Sequence, residues 1–408
     1  MNCRFCGKSV THTFIDLGAT AVSNAFLRQD QLTQVEPIYP LKAMVCDNCF
    51  LVQVNEYQKK EEIFKVDYAY FSSISTTWLE HCKQYVEHVV PLFGLNASSL
   101  VIEIASNDGY LLQFFKHKSI PCLGVEPTLN TAERASGKGI ETIVEFFDEK
   151  LARRFEAENK KPDLLIGNNV LAHVPNLNDF VRGLKVCLNF NGVITLEFPH
   201  LVRLVDNSEF DTIYHEHFSY FSFYTAKRLF EFHGLEIFDV EELSTHGGSL
   251  RVYIKHRGDE SKTISRNVGR LLEKEQALGI NGLEYYQGFQ EKADRIKNEF
   301  LKFIISEKLN NKKIAAFGAA AKGNTFLNYC GLKSDVIEYV VDDTPSKQGT
   351  YLPQSRIPVV SQEHLKAHQP DIIVILPWNF KNEILEKLSY AKNWGAKLVT
   401  YIPKLEIA

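Results

Sequence analysis

Side chains able to do acid–base chemistry are concentrated between Asp211 and Ser222, where the sequence reads DTIYHEHFSYFS. His215, Glu216 and His217 stand among apolar neighbours, so their burial costs desolvation energy unless they pair with one another or with a ligand. A neighbouring carboxylate orients an imidazole and raises its pKa, which suits a general base acting on a reluctant proton. The segment therefore indicates either a catalytic base or a hydrogen-bonded core cluster.

The elements that must position this segment are predicted from residue 98 onwards, where short apolar runs alternate with helical patterns. This alternation predicts an α/β fold with a parallel, doubly wound sheet, whose ligands bind at the carboxyl ends of the strands. The DTIYHEHFSYFS segment arrives at the same edge, after the fifth predicted strand. The strand ends and turns at this edge carry Glu103, Asn107, Gly109, Glu126, Asn168, Asn169 and His173.

The first strand-to-helix turn, IEIASNDG, lacks the spacing G-x-G-x-x-G and adds the carboxylate of Glu103. Such a turn serves a pyrophosphate poorly but suits a ligand with an ammonium group and no phosphate. Glu126, at the end of the second strand, is where a carboxylate would bind a ribose diol. The pattern resembles the class I methyltransferases, which use S-adenosylmethionine, and the competing interpretation is a redox dinucleotide domain.

Two C-x-x-C pairs near the start of the chain, Cys3 with Cys6 and Cys46 with Cys49, predict a structural zinc site. Four thiolates satisfy a tetrahedral zinc ion and leave no open position for catalysis. The alternatives are a disulfide pair, which a reducing compartment disfavours, and a redox C-x-x-C motif, which would not occur twice.

The carboxyl-terminal third restarts the strand-to-helix pattern and predicts a second, smaller Rossmann-like sheet. Its first turn, GAAAKGN, contains Lys322 and opens a helix, and a later strand end, DDTPSKQG, contains Asp343 and Lys347. Backbone N–H groups at a helix start and a nearby cation suit a phosphate or diphosphate. The alternative is a glycine turn that serves folding alone.

The composition of the 408 residues is that of an ordinary globular protein, with a formal net charge of -4. This charge gives no support for nucleic-acid binding, and no apolar run is long enough to span a membrane. We expect a cytoplasmic protein without a signal peptide, divided into a zinc-binding module at 1–70, a cofactor-binding domain at 71–260, and linker helices with a Rossmann-like domain at 261–408.

Taken together, these motifs resemble the nucleotide-sugar C-methyltransferases. The resemblance covers essentially the whole chain and rests on the two C-x-x-C pairs, IASNDGY, GNNVLAHVP, YHEHFSYFS, GAAAKGNTF and VDDTPSKQG. It implies S-adenosylmethionine and a structural zinc as cofactors. The implied reaction is methyl transfer to C3 of a nucleoside-diphosphate 4-keto-6-deoxysugar, through an enolate that a histidine base generates.

The resemblance also implies the roles of individual residues. His217 would be the base and Glu216 its partner, while His215 would either support the site or compete as base. The sugar would be lined by Tyr214, His173 and Tyr68, and the cofactor would be contacted by Glu103, Asn107, Gly109, Glu126 and Asn168. The nucleotide would be contacted by Lys322, Gly323, Asn324, Asp343 and Lys347.

One geometric condition and two alternatives remain. Successive side chains of a regular strand face opposite ways, so Glu216 and His217 can share a site only if their segment is an irregular loop. The alternatives are an O- or N-methyltransferase on the same scaffold, which needs no carbon-acid base, and a dinucleotide-binding protein that is not a methyltransferase.

Overall fold

The computed structural model describes residues 1–64 and 70–408. Within these ranges the strands form three sheets, and none of the helices there combines the length and hydropathy that crossing a bilayer requires. The strands are β1 His12–Thr20, β2 Tyr39–Val45, β3 Val52–Val54, β4 Val101–Ile104, β5 Cys122–Val125, β6 Thr142–Ile143, β7 Leu164–Asn168, β8 Val193–Pro199, β9 Ser219–Tyr220, β10 Leu235–Leu243, β11 Ser249–His256, β12 Ile314–Phe317, β13 Val340–Val341, β14 Val359–Val360, β15 Ile372–Ile375, β16 Lys397–Thr400 and β17 Glu406–Ile407.

The helices follow the predicted alternation, and Ser75 caps the second of them by accepting the backbone N–H of Trp78. They are α1 Lys60–Ile63, α2 Thr76–Leu92, α3 Leu112–His117, α4 Leu129–Gly137, α5 Glu149–Ala157, α6 Leu177–Cys187, α7 Leu201–Asp206, α8 Phe223–Phe232, α9 Arg266–Ala277, α10 Phe289–Leu309, α11 Ala321–Cys330, α12 Gln362–His368 and α13 Lys381–Lys387.

The amino-terminal sheet has the strand order β1-β2-β3-β9. Its last strand comes from the middle of the chain, because Val52 and Gln53 of β3 pair antiparallel with Tyr220 and Ser219 of β9. The strand that follows His217 after one intervening residue therefore belongs to the sheet of the cysteine-containing module. The sequence did not predict this pairing.

The central sheet has the order β10-β11-β8-β7-β4-β5-β6. Strands β4 to β8 are parallel, as predicted, while β10 and β11 add an antiparallel edge that the sequence analysis did not specify. All four residues of β4 are buried, because both faces of the parallel region are covered. Since β5 and β7 lie on opposite sides of β4, a crevice opens at the carboxyl end of β4.

The carboxyl-terminal sheet has the order β14-β13-β12-β15-β16-β17, parallel except for β17. Its crevice opens between the ends of β12 and β15, next to the start of α11. Residues of the amino-terminal sheet, the segment 201–213 and this sheet share one hydrophobic core that includes Phe14, Phe210 and Phe300. The α/β class with two Rossmann-like sheets and a small cysteine module is confirmed.

Candidate active site

A cavity of about 410 Å³ lies where the crevices of the two Rossmann-like sheets meet. Its walls come from all parts of the described chain, including residues before β2, the ends of β5 and β7, the segment before β9, and the start of α11. Its lining includes Asn24, Tyr70, Ser72, Asn107, Glu126, Asn168, His173, Thr212, Tyr214, Glu216, His217, Ala320, Ala321, Lys322 and Lys347.

The segment from Tyr214 to His217 forms a tight turn in which the backbone N–H of His217 donates to the carbonyl of Tyr214 at 2.9 Å. The turn brings the first and fourth side chains together, so the rings of Tyr214 and His217 lie 4.0 Å apart. Glu216 and His217 both line the cavity. The irregular loop that a shared site required is present in the structure.

Two hydrogen bonds fix the imidazole of His217. Its Nδ1 lies 3.0 Å from the carbonyl oxygen of Thr212, and because a carbonyl only accepts, Nδ1 carries the proton. The other nitrogen, Nε2, lies 2.8 Å from the hydroxyl of Tyr214, which donates to it. His217 is therefore the Nδ1–H tautomer, with a lone pair on Nε2, and a general base needs such a lone pair.

His173 packs edge-on against His217, with ring centroids 4.6 Å apart. Its Nδ1 donates to the backbone carbonyl of Glu216 at 2.7 Å. Burial lowers the pKa of His173 to about 4, so its ring is neutral near pH 7. Nε2 of His173 is thus a second imidazole nitrogen able to accept a proton or a hydrogen bond.

Glu216 is held by Asn24, whose side-chain amide donates to both carboxylate oxygens at 2.9 and 2.8 Å. Burial raises the pKa of Glu216 to about 7, against a smaller lowering by Asn24. Near neutral pH this carboxyl group can therefore give or take a proton. No sequence motif indicated Asn24, which lies 192 residues from Glu216 along the chain.

His215 faces away from the cavity and into the amino-terminal sheet. Its Nε2 donates to the carbonyl of Pro40 at 3.1 Å, and its ring meets that of Tyr39 edge-on. Burial lowers the pKa of His215. Of the two histidines in the H-E-H triplet, only His217 is among the cavity-lining residues of the described chain.

Tyr68, which the resemblance assigned to the sugar site, lies outside the described residues. Asn107 forms hydrogen bonds to the backbone of the segment just after Tyr68, at Tyr70 and Ser72. The Asn107 side chain accepts from the backbone N–H of Ser72 at 2.9 Å and donates to the carbonyl of Tyr70 at 3.1 Å. Asn107 lines the cavity as expected, but its amide holds this segment of backbone.

The cofactor end of the cavity contains Glu126 and Asn168. Glu126 accepts the backbone N–H groups of Asn107 and Thr128, both at 2.9 Å, and the hydroxyl of Thr128, which leaves a lone pair on Oε2 for a ribose hydroxyl. Neither the amide nitrogen nor the oxygen of Asn168 has a hydrogen-bond partner among the described residues, although the side chain is buried. Because buried polar atoms are normally paired, these orphaned atoms fit a bound polar ligand such as the methionine part of S-adenosylmethionine.

Two other predicted cofactor residues, Glu103 and Gly109, do not line the cavity. Glu103 has no exposed surface, and burial raises its pKa well above the ordinary range. Gly109 has a φ of +73°, and a Cβ there would lie 2.5 Å from the side chain of Ile140. Glu103 therefore packs inside the end of β4, and Gly109 allows the turn after β4 to pack closely.

The opposite end of the cavity is formed by the first residues of α11, with Lys322 and Lys347. Nζ of Lys322 donates to Asn379 at 2.8 Å and lies 4.4 Å from the centre of the Trp378 ring. Nζ of Lys347 donates to the carbonyl of Ala319 at 2.9 Å. A helix start with two ammonium groups is an arrangement that binds phosphate.

Three residues predicted to contact the nucleotide lie elsewhere. A Cβ on Gly323 would meet Leu376 at 2.5 Å, so this glycine allows close packing of α11. Asn324 is buried and donates to the carbonyl of Ser23 at 3.0 Å. The side chain of Asp343 bonds to Gln362 and Lys387 outside the cavity. Of the five residues predicted to contact the nucleotide, Lys322 and Lys347 line the cavity.

The Sγ atoms of Cys3, Cys6, Cys46 and Cys49 lie within 4.8 Å of one another. Cys3 approaches Cys49 to 3.4 Å and Cys6 approaches Cys46 to 3.5 Å, so the donor set and spacing fit a tetrahedral zinc ion. Between the first two cysteines, Arg4 donates to the carbonyl of Phe218 at 3.0 Å. The cysteine-containing module therefore contacts the backbone of the residue that follows His217.

Comparison with known proteins matches each of the three parts of the chain to a protein family. Three family models match, described as "Putative zinc binding domain" at residues 3–64, "Methyltransferase domain" at 78–240 and "C-methyltransferase C-terminal domain" at 244–403. The C-methyltransferase NovU of Streptomyces niveus is 31% identical over 402 residues, covering 98% of this chain and 95% of that protein. The chain belongs to the C-methyltransferase family.

Solved structures of methyltransferases are similar to part of this C-methyltransferase. An S-adenosylmethionine-dependent methyltransferase of Clostridium acetobutylicum is 12% identical, covers 44% of this chain and 92% of that chain, and has a TM-score of 0.36. Magnesium protoporphyrin IX methyltransferase (ChlM) of Synechocystis PCC 6803, with bound SAH, is 15% identical, covers 43% of this chain and 81% of that chain, and has a TM-score of 0.34.

The family and the geometry together define the cofactors of the C-methyltransferase. It is an S-adenosylmethionine-dependent enzyme, and its four clustered cysteines form a structural zinc site. The acceptor atom is carbon. The alternatives of an O- or N-methyltransferase and of a dinucleotide-binding protein that is not a methyltransferase are therefore set aside.

Proposed function

We propose that this C-methyltransferase methylates C3 of a nucleoside-diphosphate 4-keto-6-deoxysugar, through an enolate that His217 generates. The observation that carries the proposal is the hydrogen bonding of His217, with Nδ1–H held by Thr212 and Nε2 presented beside the cavity. The C4 ketone acidifies the neighbouring C3–H, so an imidazole becomes a sufficient base. S-Adenosylmethionine supplies the electrophilic methyl group.

The residues of the turn account for the proton and electron movements. Nε2 of His217 takes the proton from C3, and the electrons of the C–H bond move to the C4 oxygen to give the enolate. The Tyr214 hydroxyl, which donates to Nε2 before substrate enters, is then placed to donate to this oxygen. After the new carbon–carbon bond has formed, His217 releases its proton to solvent and returns to its starting form.

The two ends of the cavity support a nucleotide sugar as the substrate. The start of α11, with Lys322 and Lys347, offers backbone N–H groups and positive charge to a diphosphate. Glu126 and Asn168, at the other end, offer acceptors and donors to the cofactor. His217 lines the same cavity as both groups, so a sugar attached to the diphosphate could present its ring to the base.

The test is solvent exchange at C3 of a nucleoside-diphosphate 4-keto-6-deoxysugar in deuterated buffer. The wild-type enzyme is expected to exchange this hydrogen, and His217→Asn is expected to lose exchange while binding S-adenosylhomocysteine as the wild type does. His215→Asn is the matched control, since His215 faces away from the cavity. Exchange that persists in His217→Asn would identify another base, and absence of exchange in the wild type during turnover would contradict the enolate.

A further inference from the structure

Asp211 lies one residue before Thr212, whose carbonyl fixes Nδ1 of His217. Its side chain has no exposed surface, and its Oδ2 atom accepts two hydrogen bonds. The donors are the indole Nε1 of Trp378 at 2.8 Å and the hydroxyl of Tyr401 at 2.9 Å, whose one proton is shared with the carbonyl oxygen of Leu376 at 3.1 Å. One carboxylate oxygen thus ties the segment before the catalytic turn to the ends of β15 and β16 in the carboxyl-terminal sheet.

The backbone around Asp211 is a short 3-10 helix, Phe210–Thr212, that packs on α11. The Phe210 ring lies 6.1 Å from that of Phe326 and 5.6 Å from that of Tyr329, both in α11. The N–H of Thr212 donates to the carbonyl of Glu209 at 3.1 Å. Because this turn is packed and hydrogen-bonded, the direction of the Thr212 carbonyl depends on its attachment to the carboxyl-terminal sheet.

The same attachment reaches the phosphate end of the cavity. Lys322, the second residue of α11, lies 4.4 Å above the ring of Trp378, whose N–H donates to Asp211. Opposite charge close to a buried carboxylate offsets part of its desolvation cost, and the two donors offset more. Asp211 is therefore linked to both His217 and Lys322 through single intervening residues.

We propose that Asp211 is a positioning residue, through which the carboxyl-terminal sheet holds His217 as the Nδ1–H tautomer. This inference rests on the proposed function only in taking His217 as the base. The carboxylate touches neither His217 nor the cavity, and it acts through the backbone that joins Asp211 to the Thr212 carbonyl. The Nδ1–H tautomer is the productive one because it leaves Nε2 unprotonated beside the cavity.

The test removes both donors to Asp211 and keeps both rings, in the double variant Trp378→Phe, Tyr401→Phe. The stacking of residue 401 on Phe326, at 3.5 Å, survives this change. The histidine tautomers are read by ¹⁵N NMR of histidine-labelled protein with S-adenosylhomocysteine, and the His217 signal is assigned by its loss in His217→Asn. The wild type should show the Nδ1–H tautomer and the double variant a mixture of tautomers.

Kinetics supply the second readout. The double variant should lose kcat by roughly ten- to a hundredfold, while KM for the keto sugar changes much less, because misplacement of a catalytic group acts on the chemical step. Trp394→Phe is the matched control, since its indole N–H donates to the carbonyl of Pro370 in another part of the sheet. This control should retain the wild-type tautomer and kcat.

An unchanged His217 tautomer in the double variant would overturn the proposal, even if activity fell. If the double variant does not fold, the single variant Trp378→Phe is measured in its place. Tyr401 still donates to Asp211 in this variant, so a smaller shift toward the mixture of His217 tautomers is expected. A tautomer shift combined with full activity of His217→Asn would support the positioning role and contradict His217 as base. The two proposals therefore fail through different observations.

Discussion

The side-chain amide of Asn24 donates to both carboxylate oxygens of Glu216, at 2.9 and 2.8 Å. This contact joins the amino-terminal part of the chain to the turn that carries His217. The residue after His217 is held as well, because the backbone N–H of Phe218 donates to the carbonyl of Ala172 at 2.8 Å. With Asp211 attached to the carboxyl-terminal sheet, the turn that carries His217 is held by all three parts of the enzyme.

Ionisation of Glu216 should oppose folding. Burial raises its pKa from the ordinary 4.5 to about 7, so the folded state binds this proton more tightly than the unfolded chain. The resulting stabilisation is complete below the unfolded pKa and is lost as the pH rises through the folded one. Between about pH 5 and about pH 8, the wild type should lose about 3 kcal/mol of unfolding free energy that Glu216→Gln does not lose.

Urea unfolding of the two proteins at both pH values measures this difference. Glu80→Gln, on an exposed position of α2, is the control and should follow the wild type. Equal pH dependence in the wild type and Glu216→Gln would show that Glu216 has an ordinary pKa in the folded protein.

Asn168→Ala should weaken cofactor binding by roughly ten- to a hundredfold, because the variant removes two hydrogen-bonding atoms that have no partner within the described protein. Calorimetric titration with S-adenosylhomocysteine measures the affinity. Asn298→Ala, on the exposed side of α10, should bind like the wild type. Wild-type affinity in Asn168→Ala would place the methionine part of the cofactor elsewhere.

Lys322→Gln and Lys347→Gln should each lower the affinity for a nucleoside diphosphate by about tenfold, since each removes a charge-assisted contact at the start of α11. Affinity for S-adenosylhomocysteine should stay unchanged, because Glu126 and Asn168 form the other end of the cavity. Titration with both ligands separates the two effects. Lys333→Gln, an exposed residue just beyond α11, is the control, and equal nucleotide affinity in all three variants would contradict the phosphate site.

Loss of zinc should abolish methyl transfer without removing a group that touches substrate. The double variant Cys46→Ser, Cys49→Ser leaves two thiolates, so the metal is lost and the pairing of β3 with β9 loses its support. Much of the affinity for S-adenosylhomocysteine should remain, because Glu126, just after β5, and Asn168, at the end of β7, belong to the central sheet. Metal analysis, calorimetry and a methyl-transfer assay test this.

Cys122→Ser is the control for the zinc experiment, since Cys122 lies in β5, outside the cysteine cluster. It should retain metal and activity. Full methyl transfer by a metal-free Cys46→Ser, Cys49→Ser protein would mean that the module holds β9 without zinc.

The sequence by itself determined the features that are encoded locally. Alternating apolar runs and helical patterns predicted the two Rossmann-like sheets, and paired C-x-x-C motifs predicted the zinc cluster. The H-E-H triplet indicated a base near residue 216, and this role stays a prediction. Each of these signals depends on neighbours a few residues apart, where backbone periodicity and turn chemistry act directly.

Only the tertiary structure decided which side chains face the cavity and what holds them. His215 faces away from the cavity and His217 faces it, and Gly323 serves the close packing of α11. Asn24 and Trp378 contact the two ends of the segment from Asp211 to Glu216. Asn24 is 192 residues from Glu216, and Trp378 is 167 residues from Asp211. Such contacts arise from the way three sheets pack around one core, and no local pattern in the sequence encodes that packing.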